Sequence, residues 1–170
     1  MLVNPPNPIG ATANREGAAG LGYLDHSPEG FYYPPQTMAY VGAVLRQEGW
    51  RVRALDAVAD GLRFQEALAS LQQSLETIIG VFVSYDTRKE DIEFLQALKA
   101  GMPGRPVIVF GPATRYIQEE LGQTKADGIL LGEPERSFGA ACRFVAAASV
   151  ASDARAVSYT HLTLPTNREV

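Results

Sequence analysis

Tyr33–Asp56, YPPQTMAYVGAVLRQEGWRVRALD, reads as a proline-opened helix, a glycine stop and a strand that closes on an acid. Pro34 and Pro35 suit a first helical turn, where a missing N–H is no loss. Met38, Val41, Gly42 and Leu45 recur at i, i+3, i+4 and i+7 and make one largely apolar helical face. Gly49 stands where a C′ residue would. Trp50, Val52 and Ala54 then alternate with Arg51 and Arg53 up to Asp56, the period of a strand. Ahead of this stretch, Met1-Leu2-Val3 is apolar and is cut off by Asn4-Pro5-Pro6, since proline cannot continue a ladder. Together these pieces make a strand, long loop, helix, strand unit.

The rest of the chain repeats that rhythm. Phe64, Leu68, Leu71 and Leu75 form a second helical stripe. Thr77–Val83 is a continuous, β-branched apolar run, as expected of a strand buried on both faces. Ser84-Tyr85-Asp86-Thr87 follows as a polar turn, and Asp86 or Thr87 is placed to cap the next helix. That helix carries Ile92, Leu95 and Leu98 and stops at Gly101. Pro106–Phe110 is another buried strand, with Gly111-Pro112-Ala113-Thr114 as its turn. A polar helix over Tyr116–Gln123 precedes a fifth strand, Asp127–Leu131, which ends on Gly132-Glu133-Pro134-Glu135. Phe138, Ala141, Cys142 and Val145 mark the last helix. Five strand–helix alternations predict an α/β fold: a doubly wound, five-stranded parallel sheet with helices on both faces. The flavodoxin-like (Rossmann-like) strand order 2-1-3-4-5 is expected.

The domain is expected to span residues 1–150. Residues 151–170 leave the rhythm, and SYTHLTLPTNREV from Ser158 has no partner element. This segment resembles the peptide encoded when sequencing-adapter DNA is translated at the broken end of an assembled gene, so it is expected to be a non-native or disordered tail.

Composition narrows the classes of function. The chain has 170 residues, 46% hydrophobic and 20% charged, which is ordinary for a soluble globular protein. A net charge of −4 without any basic run argues against nucleic acid as a partner. No apolar stretch reaches the roughly 18 residues that a membrane span needs. The start, MLVNPPNP, lacks the charged and apolar regions of a signal peptide, and a cytoplasmic location is expected. One cysteine excludes an internal disulfide and any multi-cysteine metal site within the chain.

In an open parallel sheet, ligands bind beyond the carboxyl ends of the strands where the strand order reverses. Those ends are Asn4-Pro5-Pro6, Asp56, Ser84–Thr87, Gly111–Thr114 and Gly132-Glu133. The expected crevice lies between the first and third strands, under the 28-residue loop 7–34, whose length itself suggests a function. Glycines at 111 and 132 would let a large planar or phosphorylated ligand approach the backbone. Ser84, Thr87 and Thr114 supply small hydroxyls.

Five segments carry a family likeness: LVNPP at 2–6, YPPQTMAYVGAVLRQEGWRVRALDA at 33–57, IIGVFVSYDT at 78–87, VIVFGPATR at 107–115 and DGILLGEPERSF at 127–138. In this order the chain resembles the N-terminal cobalamin-binding domain of radical S-adenosylmethionine enzymes. The resemblance implies cobalamin held at the strand ends, with its nucleotide tail between sheet and helix near Ser84, Gly111 and Gly132-Glu133 and the corrin ring above. It implies cofactor contacts from Asn4, Pro5 and Pro6 on one wall, and from Tyr33, Pro35 and Thr37 on the other. Ser84, Tyr85, Asp86, Thr87, Gly111, Pro112, Ala113, Gly132, Glu133 and Pro134 complete the implied set. It also implies a downstream radical S-adenosylmethionine domain in cis, carrying S-adenosylmethionine and a 4Fe–4S cluster, in a methyltransferase or related enzyme.

This chain departs from the family at several points. The three-cysteine cluster motif is absent, and Cys142 falls at helical core spacing, so radical chemistry is not expected of these residues. Gly111-Pro112 replaces a frequent pair of glycines, and Gly132 is followed by Glu133-Pro134. Some cobalamin proteins use Asp-x-His-x-x-Gly to bring a histidine to cobalt, but here Asp25 and His26 are adjacent and the spacing fails. The lower face of the metal would be left to water or to a loop residue such as Tyr33.

Other classes share the topology. A nucleotide- or flavin-binding domain is supported by Asp56 at the end of the second strand, but no Gly-x-Gly-x-x-Gly follows the first. A phosphorylatable receiver would want acids where this chain has Asn4 and Ser84. A non-catalytic interaction module would leave the crevice empty.

Overall fold

A computed structural model describes residues 1–17, 21–27 and 30–150; the tail expected over 151–170 lies outside the described residues. The sheet is built from β1 (Leu2–Asn4), β4 (Ala54–Asp56), β5 (Ile79–Phe82), β6 (Val107–Phe110) and β7 (Gly128–Ile129). All pairings within it are parallel, and the spatial order is β4-β1-β5-β6-β7. Counting only these strands along the chain, the order is 2-1-3-4-5. The order reverses between β1 and β5.

The two further strands, β2 (Thr12–Asn14) and β3 (Tyr23–Asp25), form an antiparallel hairpin inside the 7–34 segment. That segment therefore has secondary structure of its own, which its composition did not show.

Alternation along the strands sorts the core into two layers. Val3, Val81, Val107 and Val109 face α2 (Phe64–Gln73) and α3 (Arg88–Gly101). Leu2, Phe82, Ile108 and Phe110 face α1 (Gln36–Gln47) and α5 (Pro134–Val150). The short α4 (Gln118–Gly122) adds Leu121 to the first layer. The expected helical stripes Met38, Val41, Leu45 and Phe138, Ala141, Cys142, Val145 are buried together in the second.

Three element ends differ from the sequence reading, each for a local reason. The strand expected from Trp50 begins only at Ala54, because β1 offers ladder positions only from Leu2 onward; Leu2 N–H reaches no further back than Arg53 O (2.8 Å). Helix α2 stops at Gln73, short of Leu75, which is 94% exposed. The Arg105 guanidinium takes the helix-end acceptors Leu71 O (2.6 Å) and Ser74 O (2.9 Å), and so turns the chain away. Tyr116 and Ile117 belong to the turn after β6, so α4 is shorter than expected. Gly49, by contrast, adopts φ +88° as a C′ glycine should.

Candidate functional site

The crevice between β1 and β5 is filled by the protein itself. Arg15, just after β2, runs back over the strand ends and is 2% exposed. Its Nη2 donates to Asp91 Oδ1 (2.6 Å) and Pro6 O (3.4 Å), its Nη1 to Pro5 O (2.9 Å) and Asn4 Oδ1 (3.1 Å), and its Nε to Asp91 Oδ2 (3.4 Å). Every face of the guanidinium thus meets an acceptor, as a buried cation requires. Asp91 sits in the first turn of α3, fully buried, and its Oδ2 also accepts from the Thr87 hydroxyl (2.6 Å) and the Ser84 amide (3.2 Å). Thr87 is the residue before α3, yet its hydroxyl binds this carboxylate and caps no backbone N–H.

A second polar group closes the adjoining strand ends. Asn4 Nδ2 donates to Asp56 Oδ1 (2.9 Å), and the Tyr32 hydroxyl donates to Asp56 Oδ2. Burial first, and then the bond to Asp56 and its charge, push the Tyr32 hydroxyl well above its ordinary value, so it stays neutral. Asp56, which stands where a ribose-binding acid would, already has partners.

What remains open lies further along the edge. A cleft of about 860 Å³ sits beyond the ends of β6 and β7, lined by Leu21, Thr37, Tyr85, Pro112, Arg115, Tyr116 and Gly132–Glu135. That volume is in the range of small-molecule sites. Two tyrosines dominate its walls: Tyr85, 39% exposed with the Arg88 guanidinium 4.5 Å from its ring centroid, and Tyr116, 63% exposed. Gly132 has no atom within 4 Å of where a Cβ would be, so its backbone is open to a ligand. Beneath the turns, between the sheet and α1 and α5, the space is filled by Phe82, Phe110 and Phe138, with ring centroids 5.3 and 5.2 Å apart along the row.

The residues expected to hold the cofactor therefore fall into separate groups. Thr37, Tyr85, Pro112, Gly132, Glu133 and Pro134 come together in the cleft. Asn4, Pro5, Pro6, Ser84 and Thr87 are buried in or around the Arg15–Asp91 network. Gly111 and Ala113 are buried in the turn after β6, and Thr114 donates to Leu130 O (2.6 Å). Pro35 is buried at the start of α1, Tyr33 packs on Phe31 (centroids 4.7 Å apart), and Asp86 is exposed beside the cleft.

Sequence reasoning missed Arg15, Glu16 and Asp91. Arg15 and Glu16 are the only charged residues before Asp25, and Asp91 lies four before Leu95 on the buried face of α3. Adjacent charges in a neutral stretch and an acid on an apolar stripe were the available signals.

Among the described residues no helix is long and apolar enough to cross a membrane, and no three His, Cys, Asp or Glu side chains converge to hold a metal ion. His26 is exposed. Cys142 is 5% exposed, and burial pushes its thiol up to about 11. Because the thiolate is the reactive form, Cys142 is expected to react with a disulfide reagent at pH 8 at least about a hundredfold more slowly in the native protein than in denaturant. A rate equal to that of the unfolded chain would contradict its burial.

No protein-family model matches the chain, and no curated protein matches it.

Proposed function

We propose that this domain binds a corrinoid in the cleft beyond β6 and β7 and serves a radical S-adenosylmethionine enzyme, a methyltransferase or a related one. The observation that carries the reading is the cleft itself: a wide, partly apolar opening at the carboxyl edge of a doubly wound sheet. Apart from Leu21 and Tyr116, its lining comes from four of the five segments that resemble the cobalamin-binding domain, at Thr37, Tyr85, Pro112 with Arg115, and Gly132–Glu135. The residues present fit one part of such a ligand better than another. Exposed tyrosine rings and the open backbone at Gly132 suit a broad flat face. Among the described residues the space beneath the turns is taken by three packed phenylalanines, so a nucleotide tail would lie along the cleft. When bound, cobalamin supplies methyl-carrier chemistry. The domain's own residues would cover one face of it and orient it toward a downstream domain in cis, which would bring S-adenosylmethionine and the 4Fe–4S cluster.

Purified protein mixed with hydroxocobalamin and desalted is expected to retain about one equivalent, seen in the visible spectrum. No retained corrin absorbance would sink the reading, and retention of flavin mononucleotide or NAD in its place would establish the nucleotide or flavin alternative. Tyr116→Ala should weaken hydroxocobalamin binding about tenfold while leaving the unfolding midpoint nearly unchanged, because the residue is exposed.

A further inference from the structure

The geometry points to Arg15 and Glu16 as positioning residues that set the two walls of the cleft without touching what it holds. Neither lines the cleft. Arg15 grips Asp91, and the same carboxylate receives the Ser84 amide and the Thr87 hydroxyl, so the guanidinium fixes the 84–87 turn that presents Tyr85. Glu16, the next residue, grips the opposite wall: its Oε1 accepts from the Thr37 amide (2.6 Å) and its Oε2 from the Thr37 hydroxyl (3.2 Å). Leu21 joins the first wall, because its carbonyl accepts the amides of Tyr85 (2.7 Å) and Asp86 (3.3 Å). Gly22 makes this close approach possible: at φ +94°, a Cβ there would stand 2.4 Å from Ser84 Oγ. Two neighbouring charges of opposite sign thus tie one hairpin to α1 on one side and to α3 on the other.

A positioning role explains why the pair is charged. A buried ion pair is weak support for stability, since apolar side chains of similar volume often do as well or better. What the guanidinium adds is a fixed fork: five bonds in set directions, which no aliphatic side chain can make and lysine cannot copy. Glu16 acts likewise, holding one helix-start amide and one hydroxyl at once.

If the cleft is the ligand site proposed above, loosening either grip should cost affinity without loosening the sheet. The test is the double variant Arg15→Met/Asp91→Leu, which fills the crevice but removes the fork. Amide hydrogen exchange and hydroxocobalamin titration are measured on the full chain. Expected is at least tenfold faster exchange at the Ser84 and Tyr85 amides, exchange within about twofold of wild type at Val81 and Val109 in the sheet, and about tenfold weaker hydroxocobalamin binding. Unchanged exchange at Tyr85, loosening shared equally with Val81 and Val109, or unchanged affinity despite a loosened turn would each overturn the assignment. Glu16→Ala releases only the other wall and covers the case in which the double variant does not fold. There the Thr37 amide should exchange at least tenfold faster and affinity fall, and an unmoved Thr37 amide overturns the role. Failure of the wild type to retain hydroxocobalamin removes the corrinoid reading alone, because the exchange measurements still decide whether Arg15 and Glu16 hold the walls.

Discussion

Asp91→Ala is expected to destabilise the protein by about 3–5 kcal/mol, the cost of leaving a buried charge without its partner. Among the described residues Asp91 supplies the only carboxylate that touches Arg15, and Arg15 is 2% exposed, so the substitution strands a buried cation. It also strips the Thr87 hydroxyl and the Ser84 amide of their acceptor, although Thr87 keeps Ser84 Oγ at 2.8 Å. Small domains hold together by about 5–15 kcal/mol, so the variant should lose a large share of its stability. Urea unfolding reads this directly as a fall in midpoint at constant slope. The control is the double variant Arg15→Met/Asp91→Leu, expected to lose far less than Asp91→Ala alone, because no charge remains to be stranded. A single-variant loss under about 1 kcal/mol would mean that water reaches Arg15 and that the crevice is not sealed.

That network also marks where the sequence stopped being legible. The central strands were readable because β5 and β6 are buried on both faces, which writes their burial into a continuous apolar run. β4 and β7 lie at the sheet edges, each with one ladder partner, and the lengths expected for them were too long. The polar residues at the strand ends were visible as a group, Asn4, Ser84 and Thr87 among them. Their task was not, because it depends on a residue far away: Arg15 and Asp91 are 76 positions apart. No local period announces such a pair. The hairpin was hidden for a related reason, since two three-residue strands are too short to show alternation. The sequence reading put the ligand under the 7–34 segment at the reversal of strand order. The segment's own arginine fills that space, and the open volume lies next to it along the same edge.

Gly111 and Gly132 were read alike, as glycines that let a ligand approach the backbone, and the structure predicts opposite behaviour for them. Gly111 holds φ +136°, which side-chain-bearing residues rarely adopt, and a Cβ there would stand 2.3 Å from Val83 O and 3.1 Å from the Phe82 ring. The backbone at Val83 cannot yield cheaply, because the Val83 amide makes the last rung to Phe110 O (2.9 Å) at the end of β5. The Gly111 carbonyl is itself held by the Thr114 hydroxyl (2.9 Å), which fixes the turn from the other side. Backbone strain and overpacking of this kind cost about 1–3 kcal/mol each, so Gly111→Ala should lose about 2–5 kcal/mol in urea unfolding. Gly132 has neither constraint: nothing lies within 4 Å of its Cβ position, and its φ is not in the left-handed region. Gly132→Ala should leave the unfolding free energy within about 0.5 kcal/mol of wild type, as exposed substitutions usually do. The added methyl projects into open space at a residue that lines the cleft, where a flat ligand would rest. Hydroxocobalamin binding should therefore weaken about tenfold in Gly132→Ala, with the fold intact. Unchanged binding in that variant would move the ligand away from the β7 turn, and a stable Gly111→Ala would show that the β6 turn can relax around a side chain.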